Sequence, residues 1–131
     1  AALAAERRTP SELRVIRRAL AERDNRPSSI EENVDADTAF HRSIIVAAHN
    51  PVLVELFDSF TPRSRQAMVE MLRIRGGHGE AADQAAHALL LEAVAGGDIQ
   101  TAAELSRAAG SERSMVNTSV REAIAGREKR L

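Results

Sequence analysis

Helix-start signals recur along this chain, and they restrict it to an all-helical fold. Thr9-Pro10-Ser11-Glu12 forms a capping box with proline at the first helical position. Ser29 and Glu32 form a second capping box, and Asp98 is placed to cap a later helix. The chain is rich in Ala, Arg, Glu and Leu, which favour helices, and few stretches have the pattern of a strand.

Helix-stop signals divide the chain into segments with short connections. Asn50-Pro51 ends the helix that starts after Ser29, because the residue before a proline disfavours helical geometry. Thr61-Pro62 is predicted to start a new helix, and Gly96-Gly97 to end a later one. Gly110-Ser111 is predicted to kink or break the helix that Asp98 caps, before a last stretch through Val116, Val120 and Ile124. The sequence therefore predicts an antiparallel bundle of six or seven helices.

Composition excludes several classes of protein. The 18 basic and 19 acidic residues give a net charge of −1, which provides no electrostatic surface for DNA. There is no cysteine, so no disulfide framework forms, and the composition fits a reducing cytoplasm, which is the predicted location. The longest apolar runs are too short to span a bilayer, and the N-terminus has no signal-peptide features. Because it opens within helical sequence, we expect the chain to be one domain trimmed from a longer protein.

Three side chains of the metal-ligand type stand where apolar residues are expected. Asp37 and His41 lie four residues apart on a stripe that has the spacing of one helix face. The stripe consists of Val34, Asp37, His41, Ile44, Ile45 and Ala48. His87 has the same relation to Leu90, Leu91 and Val94. Burying a charge is costly unless it is paired or bound to a metal, so these residues predict a polar pocket inside the bundle. The pocket could hold a metal, a small molecule, or only internal hydrogen bonds.

Several runs in this chain resemble one protein family when they are taken in order. They are the capped helix after LAAERRTPSEL, the D-x-x-x-H spacing in DTAFHRSI, the run HNPVL, and a histidine followed by LLLEAVAGGD. Together they resemble the C-terminal ligand-binding (FCD) domain of the FadR branch of GntR-type bacterial transcription regulators, over essentially the whole chain. The resemblance implies a helical bundle that forms a homodimer and senses a small metabolite, often a carboxylic acid.

The resemblance also implies how the whole regulator is organised. In that family an N-terminal winged helix-turn-helix domain binds DNA, and nothing in this chain looks like that module. Residues 1–131 are therefore expected to be the effector-binding and dimerisation domain alone. Contact with DNA would occur only through the missing domain, and contact with a membrane is not expected.

Many members of the family hold a divalent metal with one aspartate and three histidines. Asp37, His41 and His87 match the aspartate and the first two histidines, whereas Ala109 occupies the position of the third. No histidine follows His87, so the chain departs from the full ligand set. One aspartate and two histidines would still hold Zn²⁺, Ni²⁺ or Mn²⁺ if water or an effector carboxylate completed the coordination.

Other polar residues are candidates for roles around this site. Asp83 lies one turn before His87, where it would orient the histidine ring or else face solvent. Arg63 and Arg65 point to different faces of one helix, and an arginine that faces inward would bind both oxygens of a carboxylate effector. Asn117, which follows two apolar residues, is a further candidate for ligand binding.

Two alternatives to an effector-sensing domain follow from the same residues. Two histidines and a carboxylate with open metal positions are a set that supports hydrolysis or oxygen chemistry. However, the chain has no cysteine and no serine placed with a histidine and an acid, so we do not expect an enzyme. The second alternative is a helical interaction module in which the inward polar residues only satisfy one another.

Overall fold

The computed structural model describes residues 1–25, 29–76 and 81–109, and these residues form helices and no strand. The helices are α1 (Ala2–Arg7), α2 (Pro10–Asp24), α3 (Ile30–Val46), α4 (Pro51–Arg75) and α5 (Ala81–Gly96). Residues 99–109 form a further helix, α6, up to the end of the described part. The all-α prediction is confirmed. The stretch predicted from Gly110 to Ile124 lies outside the described residues. Within those residues, no helix has both the length and the apolarity needed to cross a membrane.

The helix starts use the capping residues that the sequence predicted. The Thr9 hydroxyl accepts from the Glu12 backbone N–H at 3.3 Å, and the Glu12 carboxylate accepts from the Thr9 N–H at 2.8 Å. Ser29 and Glu32 form the same reciprocal pair at the start of α3. Asn50 caps α4, because its side-chain oxygen accepts from the first free N–H groups of that helix. These bonds satisfy donors that a helix start otherwise leaves without a partner.

The prediction of a new helix at Thr61-Pro62 is wrong, because α4 runs without a break through Pro62. A proline inside a helix removes one N–H donor, so the carbonyl of Asp58 loses its usual partner four residues later. The turn before it is supported by the Thr61 hydroxyl, which donates to the Phe57 carbonyl at 2.8 Å. Packing of α4 along α3 favours one continuous helix, since tertiary contacts supply most of the stability of helices in proteins.

Helix α3 lies at the centre of the bundle and is antiparallel to α4. It packs against α1, α2 and α4, while α5 packs against α1 and α2. Ion pairs join α3 to α4 along their length: Glu31 with Arg73, Asp35 with Arg65, and Arg42 with Asp58. Because the order of partners along α4 is the reverse of that along α3, the two helices run in opposite directions. These pairs are exposed and contribute little to stability, so their main effect is on register.

The turn between α5 and α6 requires glycine and joins both helices to α1. Gly97 has a φ of 71°, and a Cβ atom there would lie 3.2 Å from Nη2 of Arg8. That same Arg8 atom donates to the Ala95 carbonyl at 2.8 Å and so satisfies the end of α5. Asp98 caps α6 by accepting from the Thr101 N–H at 3.0 Å, and this hydrogen bond lowers the pKa of the Asp98 carboxyl.

The hydrophobic core combines buried side chains of α1, α2, α3, α5 and α6, and its largest fully buried side chain is Phe40, which is 0% exposed. Its other members are Ala4, Ala5, Ile16, Leu20, Ile44, Ala47, Ala48, Leu90, Leu91, Ala93, Val94 and Ala102. The Phe40 ring lies 5.3 Å from the His41 ring and 5.4 Å from the His87 ring, measured between ring centres. Both histidine rings therefore pack against the hydrophobic core through Phe40.

Candidate metal centre

The structure brings together the three side chains that the apolar stripes singled out. Asp37 and His41 lie on one face of α3, and His87 reaches them from α5. Nε2 of His87 lies 3.0 Å from Oδ1 of Asp37 and 3.1 Å from Nε2 of His41. Nε2 of His41 lies 3.7 Å from Oδ2 of Asp37. Asp37 and His87 are buried, at 7% and 6% exposure, and His41 is half-buried. This buried group of carboxylate and imidazoles has the donor set to hold a metal ion.

The His87 ring is oriented by a hydrogen bond at Nδ1, the ring nitrogen that does not face Asp37. Nδ1 of His87 lies 2.6 Å from the backbone carbonyl oxygen of Asp83, which can only accept, so Nδ1 is the protonated nitrogen. In the neutral ring this leaves Nε2 with a lone pair that faces a carboxylate oxygen of Asp37. Two acceptors at this distance repel each other unless a proton or a cation lies between them.

Asp83 supports His87 through its backbone more closely than through its side chain. Its carboxylate lies 3.5 Å from Nδ1 of His87, farther than its own carbonyl oxygen. The Asp83 carboxylate instead accepts from Nη2 of Arg23. The predicted position beside His87 is therefore observed, with an ion pair that the sequence analysis did not foresee.

Arg23 is the member of this cluster that the sequence analysis missed. It lies in the last turn of α2 at 7% exposure, and its Nε donates to Oδ1 of Asp37 at 2.9 Å. Because its guanidinium contacts both Asp37 and Asp83, it neutralises part of the negative charge of the cluster. The signal for it was its spacing, since Ile16, Leu20 and Arg23 follow one helix face and all three are buried.

A cavity of about 300 Å³ between α3 and α4 opens onto this cluster. Asp37 and His41 lie in its wall, together with Thr38, Phe57, Phe60, Thr61, Ser64, Arg65, Ala67, Met68 and Met71.

Of the two arginines predicted to point to different faces, Arg65 lines the cavity and Arg63 is exposed. Asp35 binds the Arg65 guanidinium at 2.6 Å and 3.0 Å, and this bond lowers the pKa of the Asp35 carboxyl. Asn117 lies outside the described residues.

Comparison with known families identifies the family of this chain. Residues 1–109 match the sequence profile of the family described as the FCD domain. The chain belongs to the FCD domain family. FCD domains are the C-terminal domains of GntR-type regulators, so the family is a regulatory one and its general role is effector binding. No curated protein matches the chain in sequence.

Proposed function

We propose that this FCD domain is the effector sensor of a FadR-type transcription regulator and that it acts in the cytoplasm. It binds a small carboxylic acid in the α3–α4 cavity, next to a divalent metal held by Asp37, His41 and His87. It forms a homodimer and reaches DNA only through a separate winged helix-turn-helix domain. The observation that carries the proposal is that the cavity opens directly onto the Asp37–His41 face of the cluster.

The separations between the donor atoms support a metal. Ligands in neighbouring positions around an ion, with bonds of about 2.1 Å, lie roughly 3.0–3.4 Å apart. The donor atoms of Asp37, His41 and His87 are separated by 3.0, 3.1 and 3.7 Å. An ion held by three protein ligands would keep open positions for an effector carboxylate or water. A mixed carboxylate and imidazole set suits Zn²⁺, Ni²⁺ or Mn²⁺.

The position of the cavity suggests how ligand binding would change the geometry of the dimer. A ligand in the cavity touches α3 on one side and α4 on the other, so it favours one arrangement of the two helices. Phe60 lines the cavity and belongs to an exposed apolar stripe on α4 with Val52 and Leu56. We assign this stripe to the dimer interface. Ligand binding would then alter dimer geometry and the spacing of the attached DNA-binding domains.

The contact between Arg23 and Asp37 favours one competing function. The guanidinium already neutralises the buried carboxylate, so the cluster needs no ion to offset that charge. In this alternative the domain is a helical interaction module without a ligand, and its inward polar residues satisfy one another.

Metal content and thermal stability distinguish the two functions. We expect close to one divalent ion per purified chain by elemental analysis, and a lower melting temperature after a chelator. An ion that binds only the native state stabilises it, so added Zn²⁺ should restore the melting temperature. His87→Gln should abolish this response, whereas His49→Gln, at an exposed histidine beyond α3, should leave it intact. A metal-free chain with an unchanged melting temperature would overturn the metal site and favour the interaction module.

A further inference from the structure

We infer that the effector is a carboxylate with a single negative charge and an apolar body, such as an unsubstituted aliphatic acid, and not a polyhydroxy acid. The inference rests on the proposed metal-assisted binding and names the chemistry of the ligand. It follows from the apolar wall of the cavity, from the hydrogen bonds that its polar groups already make, and from the few cations that a ligand can reach.

The part of the cavity wall away from the metal-ligand cluster is apolar. It is formed by side chains of α4 at helical spacing: Phe57, Phe60, Ala67, Met68 and Met71. Aromatic rings and methionines offer large apolar area, and the flexible thioether adapts to the shape of a bound chain. A ligand body that fills this region is stabilised because its apolar surface leaves water, and each buried methylene group adds to the affinity.

Most polar groups of the wall are already bonded within the protein. The Thr38 and Thr61 hydroxyls each donate to the helix carbonyl four residues earlier, both at 2.8 Å. The Arg65 guanidinium is held by both oxygens of Asp35. Ser64 adds one more hydroxyl to the lining. The two threonine hydroxyls have no hydrogen left to donate, although their oxygens can still accept. A ligand with several hydroxyl groups would therefore meet few free donors for its oxygens, and unsatisfied buried acceptors weaken binding.

The cations that a bound ligand can reach favour a single carboxylate. Among the described residues that line the cavity, Arg65 is the one arginine or lysine, and both oxygens of Asp35 already bind it. The proposed metal would be the other positive charge, and it would bind one ligand carboxylate. A second carboxylate would have to enter the apolar region, where burying an unpaired charge is strongly unfavourable.

The size of the cavity fits a small acid. Its volume of about 300 Å³ lies at the lower end of the range of small-molecule sites, roughly 300–1,000 Å³, so a six-carbon acid is of suitable size.

Calorimetric titration of the zinc-loaded chain with three six-carbon acids tests the inference. Hexanoate has the apolar body, gluconate adds hydroxyl groups, and adipate adds a second carboxylate. We expect hexanoate to bind about tenfold tighter or more than either of the others. Met68→Gln places an amide in the apolar wall at similar length and should weaken hexanoate binding about tenfold. Ile74→Gln, at an exposed position of the same helix, should leave it unchanged.

The outcomes separate this inference from the function on which it rests. If zinc binds and gluconate or adipate binds as tightly as hexanoate, the apolar-acid inference is wrong while the metal site stands. Equal hexanoate affinity in Met68→Gln and the unaltered chain would also overturn it. If elemental analysis finds no bound zinc, the proposed metal-assisted function fails, and the inference fails with it.

Discussion

At the scale of single residues, Arg23 explains how the buried carboxylate of Asp37 lies beside two imidazoles. Arg23 is 7% exposed and contacts the carboxylates of Asp37 and Asp83, so it offsets the Asp37 charge that is unfavourable in the interior. It also connects the end of α2 to α3 and α5. The residue is therefore central to both the stability and the charge of the site.

Removing Arg23 should destabilise the domain strongly. Arg23→Ala leaves Asp37 buried without its cation, and the loss of one partner from a buried ion pair costs roughly 3–5 kcal/mol of unfolding free energy. Denaturant unfolding in the presence of chelator measures this without a contribution from bound metal. Arg17→Ala, at an exposed position of the same helix, should change stability by less than about 0.5 kcal/mol. An equal loss of unfolding free energy in the two variants would show that the Arg23–Asp37 pair does not stabilise the domain.

Position 109 gives a second test at this scale. The family resemblance implies a third histidine ligand there, and substituting Ala109 by histidine would restore it. Ala109 is a half-buried residue of α6 at the end of the described part. Ala109→His should raise zinc affinity about tenfold or more, since a fourth protein donor would replace a bound water. Competition with a chromophoric chelator measures the affinity. Ala108→His, at the exposed neighbouring position, serves as the control. A similar zinc affinity in both variants would argue that α6 does not present position 109 to the cluster.

At the scale of helices, the sequence predicted what depends on local bonds and failed where packing decides. The capping boxes at Thr9 and Ser29 form as predicted, because they involve atoms only three residues apart. The inward positions of Asp37, His41 and His87 also followed from helical periodicity alone. Pro62 misled the prediction because its local effect is to break a helix, whereas contacts between α3 and α4 keep α4 continuous.

The cavity and the ion pairs of Arg23 could not be predicted from the sequence, because both depend on how the helices pack. The cavity wall combines α3 and α4, and its shape depends on how closely those two helices pack. Helix spacing placed Arg63 and Arg65 on different faces, but only the packing shows that Arg65 lines the cavity. In the same way, the spacing from Ile16 and Leu20 marks Arg23 as inward, but its partners come from two other helices.

At the scale of the whole molecule, the exposed apolar stripe of α4 is the feature that the single chain leaves unexplained. Val52, Leu56 and Phe60 are 61%, 47% and 61% exposed and follow each other at intervals of four residues. An interval of four residues puts these side chains on one face of α4, and the structure turns that face away from the core. A contiguous exposed apolar surface of this kind is typical of a contact with another protein chain. FCD domains typically dimerise, and we propose a second copy of this chain as the partner.

Breaking the stripe should convert the proposed dimer into a monomer. Leu56→Asp places a charge at the centre of the stripe without altering the core, because Leu56 is already largely exposed in the single chain. Burying that charge in an interface costs several kcal/mol, so the dimer dissociation constant should rise about a hundredfold or more. Sedimentation equilibrium over a range of concentrations measures it. Leu89→Asp, at a residue of α5 with 58% exposure, should leave the dimer intact. If Leu89→Asp dissociates the dimer and Leu56→Asp does not, the interface lies on α5, and the proposed route from the cavity through Phe60 to the dimer is wrong.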